Sequence, residues 1–203
     1  MMTEMTRDEW APMTEPAGSV GSALSAGGRA PGGRWPDGVL GAALVVMALV
    51  AGLNFTFAAA VMPNLAGADD HTFVATMQRY NENPVFPLSF TAALLLTALA
   101  ALLQLGHGSR GARRWTVVAL GLYGVVLAVT AAINIPLNDQ ITRAGDPDRI
   151  ADLAHVRSQF EGPWVASNIL RTLACTAAVA ALGRALLLRG RGAGVSQPER
   201  PLG

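Results

Sequence analysis

The chain contains no lysine; all fifteen of its basic residues are arginine. Its net charge is only +1, so it carries no basic stripe of the kind that holds nucleic acid. A single cysteine, Cys175, excludes an internal disulfide framework and a C-x-x-C redox pair. Charge of either sign is scarce: 14% of residues are charged, against about 25% in an ordinary soluble domain. The three histidines, His71, His107 and His155, all fall outside the long apolar runs, which excludes a bis-histidine haem buried in a bundle.

In place of charge there is length of apolar sequence. Four runs stand out, at about 38–62, 85–105, 115–136 and 164–188. Each reaches the roughly 20 residues that cross about 30 Å of hydrocarbon. No Asp or Glu lies within any of them. Trp115 and Trp164 open the third and fourth runs, where indole rings favour the membrane interface. Gly, Ala, Ser and Thr recur inside the runs, as close helix packing in lipid requires. The expected fold is all-α, a four-helix transmembrane bundle, with the lipid bilayer as its solvent.

Around this membrane domain, taken as 36–189, the sequence predicts two tails. Residues 1–35 are rich in Gly, Pro, Ser and Ala without periodicity, and read as a disordered tail rather than a signal peptide. Residues 190–203 read as a second, shorter one. Arginines gather before the first run, between the second and third, and after the fourth. The other two loops carry Asp69, Asp70 and Glu82, and Asp139, Asp146, Asp148, Asp152 and Glu161. By the arginine rule both termini are cytoplasmic and these two acidic loops lie outside, in a multi-pass protein of the cell membrane.

Both outer loops carry helical spacing. Phe73, Met77 and Tyr80 follow an Asp at the N-cap and stop before Pro84. Ile150, Leu153, Val156 and Phe160 follow Asp146 and Pro147, with Gly162 and Pro163 predicted to end the helix. Two short amphipathic helices in the extracytoplasmic loops are therefore expected, lying on the membrane or lidding the bundle. The hairpins share a plan of apolar helix, Asn, Pro, surface helix, Pro, aromatic and apolar helix, consistent with an old duplication.

Polar residues within the runs cluster toward the outer side. Asn54 lies eight residues before the end of the first run, about 12 Å along a helix. Asn134 sits one short turn inside the third. Asn168, Arg171 and Cys175 follow i, i+3, i+7 on one face of the fourth, with Trp164 leading that face. A guanidinium at that depth costs roughly 2.5–3.5 kcal/mol or more, which favours a place facing the bundle interior or a wet cavity; the alternatives are that Arg171 and the asparagines only lock the helices together, or that Arg171 snorkels outward. Its expected acceptors are the side chains of Asn54 and Asn134, and carbonyls freed where "MPN" and "NIPLN" break the helices. With no carboxylate in any run, Arg171 keeps its charge, which suits an anion or a substrate that becomes one during reaction. His71 with Asp69 and Asp70, and His155 with Asp152, read as surface-loop residues rather than metal ligands. No metal site and no cofactor is expected.

The runs "NFTFAAAVMPNL", "MQRYNENPVF", "NIPLND" and "PWVASNILRT" resemble the DUF1772 family, also called the anthrone oxygenase family. The resemblance covers roughly residues 40–188. It rests on Asn54, Met62-Pro63, Met77-Gln78, Asn81, Asn83-Pro84, Asn134-x-Pro136-x-Asn138 and Trp164-x-x-x-Asn168-x-x-Arg171. It implies a small four-helix membrane protein, some of whose relatives oxidise anthrones to anthraquinones with O₂ and no flavin, haem or metal. On this reading Arg171, Asn168, Asn134 and Asn54 stabilise an oxyanion, and Trp164 stacks on the ring of a small apolar aromatic substrate. Phe57, Gln78, Asn81 and Asn138 are further substrate contacts. The proton acceptor is open between His71, His155 and a bound water. The competing expectation is a non-enzymatic membrane protein that holds a lipid, a quinone or a partner subunit in the same pocket. A transporter fits less well, since no broken helix falls at mid-membrane.

Overall fold

The computed structural model describes residues 35–107 and 109–194. The order along the chain is α1 (Trp35–Thr56), a π turn (Phe57–Val61), α2 (Met62–Ala66), α3 (Asp70–Asn81) and α4 (Val85–His107). Then come α5 (Arg110–Val129), a second π turn (Thr130–Asn134), α6 (Ile135–Arg143), a 3₁₀ turn (Pro147–Arg149) and α7 (Leu153–Gly194). No strand occurs among the described residues. Of the expected tails, only Trp35 and residues 190–194 are described, and they extend α1 and α7; the remainder lies outside the described residues.

Four helices are long and apolar enough to cross a membrane: Trp35–Ala66, Val85–Gly106, Arg110–Arg143 and Leu153–Arg191. They form a ring in which α1 packs on α4, α4 on α5, α5 on α7 and α7 back on α1. The inner seam is built from small residues. Ala93 and Ala100, Ala119, and Ala174, Ala178, Ala181 and Ala185 meet Leu40, Met47, Val50, Tyr123 and Leu182. Short side chains let the backbones approach, and dispersion between them replaces a hydrophobic drive that lipid does not supply. The outer faces carry exposed Leu49, Phe55, Leu95, Leu102, Leu173 and Leu187. Such a surface is a liability in water and an ordinary one in hydrocarbon. The protein is a multi-pass membrane protein by the length and composition of these helices.

The prolines do not break the spans, contrary to the sequence expectation. Pro63 and Pro136 each follow a π turn by two residues, and the chain stays helical through both. In each π turn the backbone bond lengthens by one residue: Met62 N–H donates to Phe57 O, and Ile135 N–H to Thr130 O. The wider turn moves the carbonyl that a proline ring would otherwise strike. The two hairpins thus share this device as well as their sequence plan.

Pro163 behaves differently. Gly162 and Pro163 were expected to end a surface helix, but α7 runs without interruption from Leu153 to Gly194. Two aromatics one turn apart hold it through the proline. Phe160 and Trp164 stack at 6.0 Å, and both are buried. Asp146, expected to cap this helix, caps only the 3₁₀ turn, accepting from Asp148 N–H. The cap of α7 is Asp152, which accepts from His155 N–H at 2.9 Å.

The other surface helix forms as its spacing predicts. Asp69 caps α3, accepting from Thr72 N–H at 2.9 Å and Thr72 Oγ1 at 2.8 Å. Its buried face, Phe73, Val74 and Met77, joins Phe57, Met62, Ile141, Phe160 and Trp164 in a second apolar cluster. This cluster sits over the end of the bundle away from Trp35 and Arg191, termed the outer end, and roofs the cavity described next.

Candidate active site

A cavity of about 730 Å³ lies under that roof, among α1, α3, α4, α5, α6, α7 and both π turns. This is well within the size range of small-molecule sites. Arg171, Asn168, Asn134, Asn54, Trp164, Phe57, Asn81 and Asn138 all line it. Gln78 does not. Its amide donates instead to Ile141 O at 2.8 Å and Gly145 O at 2.9 Å, holding the end of α6. Gly145, at φ 89°, makes the turn that brings those carbonyls together.

Arg171 reaches the cavity from α7 and is 7% exposed. The residues expected to accept from it are not the ones that do. Nη2 donates to Asn168 Oδ1 at 3.0 Å, one turn back on the same helix, and Nη1 to Thr130 Oγ1 at a long 3.4 Å. The rings of Phe90 and Trp164 flank the guanidinium carbon at 5.8 and 5.7 Å, within cation–π range. No carboxylate among the described residues pairs with it, and Nε, fully buried, has no partner.

The asparagines are held rather than loose. Asn168 Nδ2 donates to Asn54 O at 3.0 Å, and Asn54 Nδ2 to Cys175 Sγ at 3.7 Å. Asn134 Nδ2 donates to Ser167 Oγ at 2.8 Å, which leaves Asn134 Oδ1 buried without a donor. Trp164 Nε1 donates to Asn138 Oδ1 at 2.9 Å. The cavity therefore keeps one unused buried donor, Arg171 Nε, and one unused buried acceptor, Asn134 Oδ1. Unpaired buried polar atoms are costly, about 1–3 kcal/mol each, unless something satisfies them.

The remaining wall is aromatic. Phe57 meets Tyr80, Phe86 and Trp164 with ring centroids 4.9, 5.6 and 5.4 Å apart. Phe86, Phe90 and Thr130 were not singled out from the sequence, and Tyr80 only for its helical spacing. Phe86 and Phe90 do stand i, i+4 on α4, and Thr130 stands i, i+4 from Asn134, which is the signal that finds them.

Neither histidine offered as proton acceptor lies on the cavity. His71 Nε2 pairs with Asp148 Oδ1 at 2.8 Å, and His155 Nε2 contacts Gln159 at 3.0 Å. The acidic side chains on the cavity wall are Glu82 and Asp139, both exposed at the outer rim. Asp139 is paired with Arg143 at 3.1 Å; Glu82 has no ion-pair partner among the described residues. No group of three or more His, Cys, Asp or Glu is placed to hold a metal among the described residues.

A second arginine fixes the roof. Arg157, on the first turns of α7, donates to the carbonyls of Leu65, Ala66 and Ala68, which end α2. It also pairs with Asp70 at 3.0 Å and Glu161 at 2.8 Å, and lies 4.6 Å over the Phe73 ring. Between Ala68 and Asp70, the bonds from Thr72 hold the Asp69 carboxyl below its ordinary range.

The profile of the family described as anthrone oxygenase matches residues 73–181, just over half of the chain. The chain belongs to the anthrone oxygenase family. The match begins in α3 and ends in α7, so it takes in every cavity residue named above except Asn54 and Phe57. No curated protein and no solved structure matches the chain.

Proposed function

We propose that this anthrone oxygenase family member is a cofactor-free oxygenase that converts a ring methylene of an apolar polycyclic substrate to a carbonyl with O₂. The observation that carries the proposal is Arg171, a buried guanidinium without an ion pair and with Nε unused. A ketone whose ring CH₂ loses a proton becomes an extended phenolate. Arg171, with the Asn168, Asn134 and Asn54 cluster around it, favours that anion over the neutral ketone. Phe57, Phe90 and Trp164 hold the ring body, and Asn81 and Asn138 border its outer end.

The electron-rich anion reacts with O₂ at the ring carbon, and a proton completes a hydroperoxide. Loss of the second ring proton as the O–O bond breaks gives the carbonyl and one water. CH₂ plus O₂ thus becomes C=O plus H₂O, and the four electrons that leave the substrate reduce O₂. The proton leaves by the outer rim, where Glu82 is the unpaired carboxylate on the wall and contacts water. The protein sits in the cell membrane with both termini cytoplasmic, and the cavity belongs to the extracytoplasmic side. Residues 36–189 are the membrane domain.

The test is O₂ uptake by detergent-purified protein given a simple anthrone, against the spontaneous rate and against Arg171→Ala. Uptake above background that is lost in Arg171→Ala supports the proposal. Rates equal to the spontaneous one in both overturn it, leaving a protein that holds a lipid, quinone or partner in the same cavity.

A further inference from the structure

The lining residues of the cavity are not equally enclosed. Those of the π turns and α7 are buried or half-buried. The exposed ones fall on two edges only. One edge is Glu82, Pro87 and Thr91, along the end of α3 and the outer part of α4. The other is Ile135, Asp139, Thr142 and Arg143, along α6. Two exposed edges that face one cavity define a slit between them. The packing agrees: α4 packs closely on α1 and α5, but no comparable contact joins it to α6 or to the π turn before α6.

The two ends of this slit differ. At the outer end the rim is charged, and α3 is tied to α6 across it. Asn81 Nδ2 donates to Asn138 O at 3.2 Å, and Gln78 Nε2 donates to Ile141 O and Gly145 O. At the inner end the lips are Thr91 and Ile135, with no hydrogen bond between them. Leu88, Leu95, Ile133 and Ile135 are all exposed beside these lips, so they continue the apolar outer surface of the bundle. The bridged end is lined by charged and polar residues, and the open end is continuous with the apolar outer surface.

We infer that ligands enter this cavity sideways from the bilayer, through the slit between α4 and α6 whose lips are Thr91 and Ile135. The class of ligand that fits is a membrane-dissolved solute with an apolar ring body and one anionic or hydrogen-bond-accepting end. The body slides between apolar lips, and the accepting end meets the unused Nε of Arg171. Partition into the bilayer concentrates such a solute at the entrance, and the bridged outer end keeps water-borne solutes from the same site. The inference goes beyond the oxygenase proposal, because the route holds for whatever chemistry the cavity performs.

The experiment uses the full chain in lipid nanodiscs, carrying Cys175→Ala. Two cysteine pairs are compared: Thr91→Cys with Ile135→Cys, and Glu82→Cys with Asp139→Cys. Each pair is bridged by a reducible bis-methanethiosulfonate linker. The probe is anthracene-9-carboxylate, whose binding is followed by energy transfer from Trp164 in a background of Trp10→Phe, Trp35→Phe and Trp115→Phe. Bridging 91 to 135 is expected to slow association at least tenfold, with recovery on reduction. Bridging 82 to 139 is expected to leave it within twofold. An unchanged rate with the 91–135 bridge, or an equal block by the 82–139 bridge, overturns the inference. Thr91→Phe, which needs no linker, is expected to slow association in the same direction. Since the readout is binding, a protein that takes up no O₂ yet is blocked at 91–135 refutes the oxygenase proposal alone.

Discussion

The side chain of Asn168 accepts from Arg171 Nη2 at 3.0 Å while its own amide donates to Asn54 O at 3.0 Å. One carboxamide therefore sets the position of the guanidinium and ties α7 to α1, and it does both without neutralising the charge. Asn168→Asp tests this. The variant keeps an acceptor for Arg171 but pairs its charge with a carboxylate. O₂ uptake with an anthrone is expected to fall about 100-fold, the loss typical of one oxyanion-stabilising group. Because Asp cannot donate to Asn54 O, the thermal midpoint is expected to fall with a loss of about 1–3 kcal/mol, and activity is therefore compared on folded protein of equal concentration. An Asn168→Asp variant as active as the parent means that the net positive charge is not used.

Trp164 plays two parts, a ring face beside Arg171 and an indole donor to Asn138. Trp164→Phe keeps an aromatic face but removes the N–H together with the five-membered ring. Loss of the bond to Asn138 is expected to cost about 1 kcal/mol of stability. The KM for an anthrone should rise a few-fold with kcat nearly unchanged. Steady-state O₂ uptake and a thermal melt in detergent measure the two effects.

Arg157→Met removes the cation but keeps most of the apolar stem over Phe73. Three carbonyls and two carboxylates then lose their shared donor. Hydrogen bonds to a charged group contribute about 1.5–3 kcal/mol, so a loss of about 2–3 kcal/mol is expected. It should appear as a lower thermal midpoint and as faster hydrogen exchange over residues 62–74. Faster exchange spread evenly over all four spans would contradict a local role for Arg157.

The cap of α3 has a pH dependence whose sign follows from Asp69. Its carboxyl is held below the ordinary value of 3.8 because its charged form accepts from Thr72 N–H and Oγ1. A lowered folded value means that the cap stabilises α3 fully above the ordinary value and is lost as pH falls through the lower one. Hydrogen exchange of the first turn of α3, corrected for intrinsic rates, should accelerate only in that acidic window. Asp69→Ala should show the faster exchange at neutral pH as well.

The parts of this fold that were legible in sequence are those fixed by a single helix. Trp164, Asn168 and Arg171 share a face because their spacing is helical, and α3 is capped because an aspartate and an amide lie three residues apart. Most of what the sequence withheld depends on other helices. Arg171 bonds to Thr130 rather than to Asn54 or Asn134, because the π turn sets which of its own residues faces α7. Gln78 was read as a substrate contact, but the carbonyls at the end of α6 take both of its donors. Pro163 was read as a stop, but the stacked pair Phe160 and Trp164 holds the helix across it. The first two misses involve partners far away in the chain, which no local pattern carries; the third turns on an i, i+4 aromatic pair within the helix itself.

The paired π turns also bear on how the protein can change. Each inserts one residue into a spanning helix, and one residue is about 100° of rotation. Deleting Ala59 or Ala132 would return the helix to α geometry and swing everything outward of it by roughly that angle. Met62 would then leave the roof in one case; in the other Asn138 would turn from the cavity and Ile141 from the roof. The inner bundle would keep its register throughout. The two turns work as indexing joints, so the outer chamber can be re-aimed by single-residue length changes that leave the membrane-embedded seam untouched.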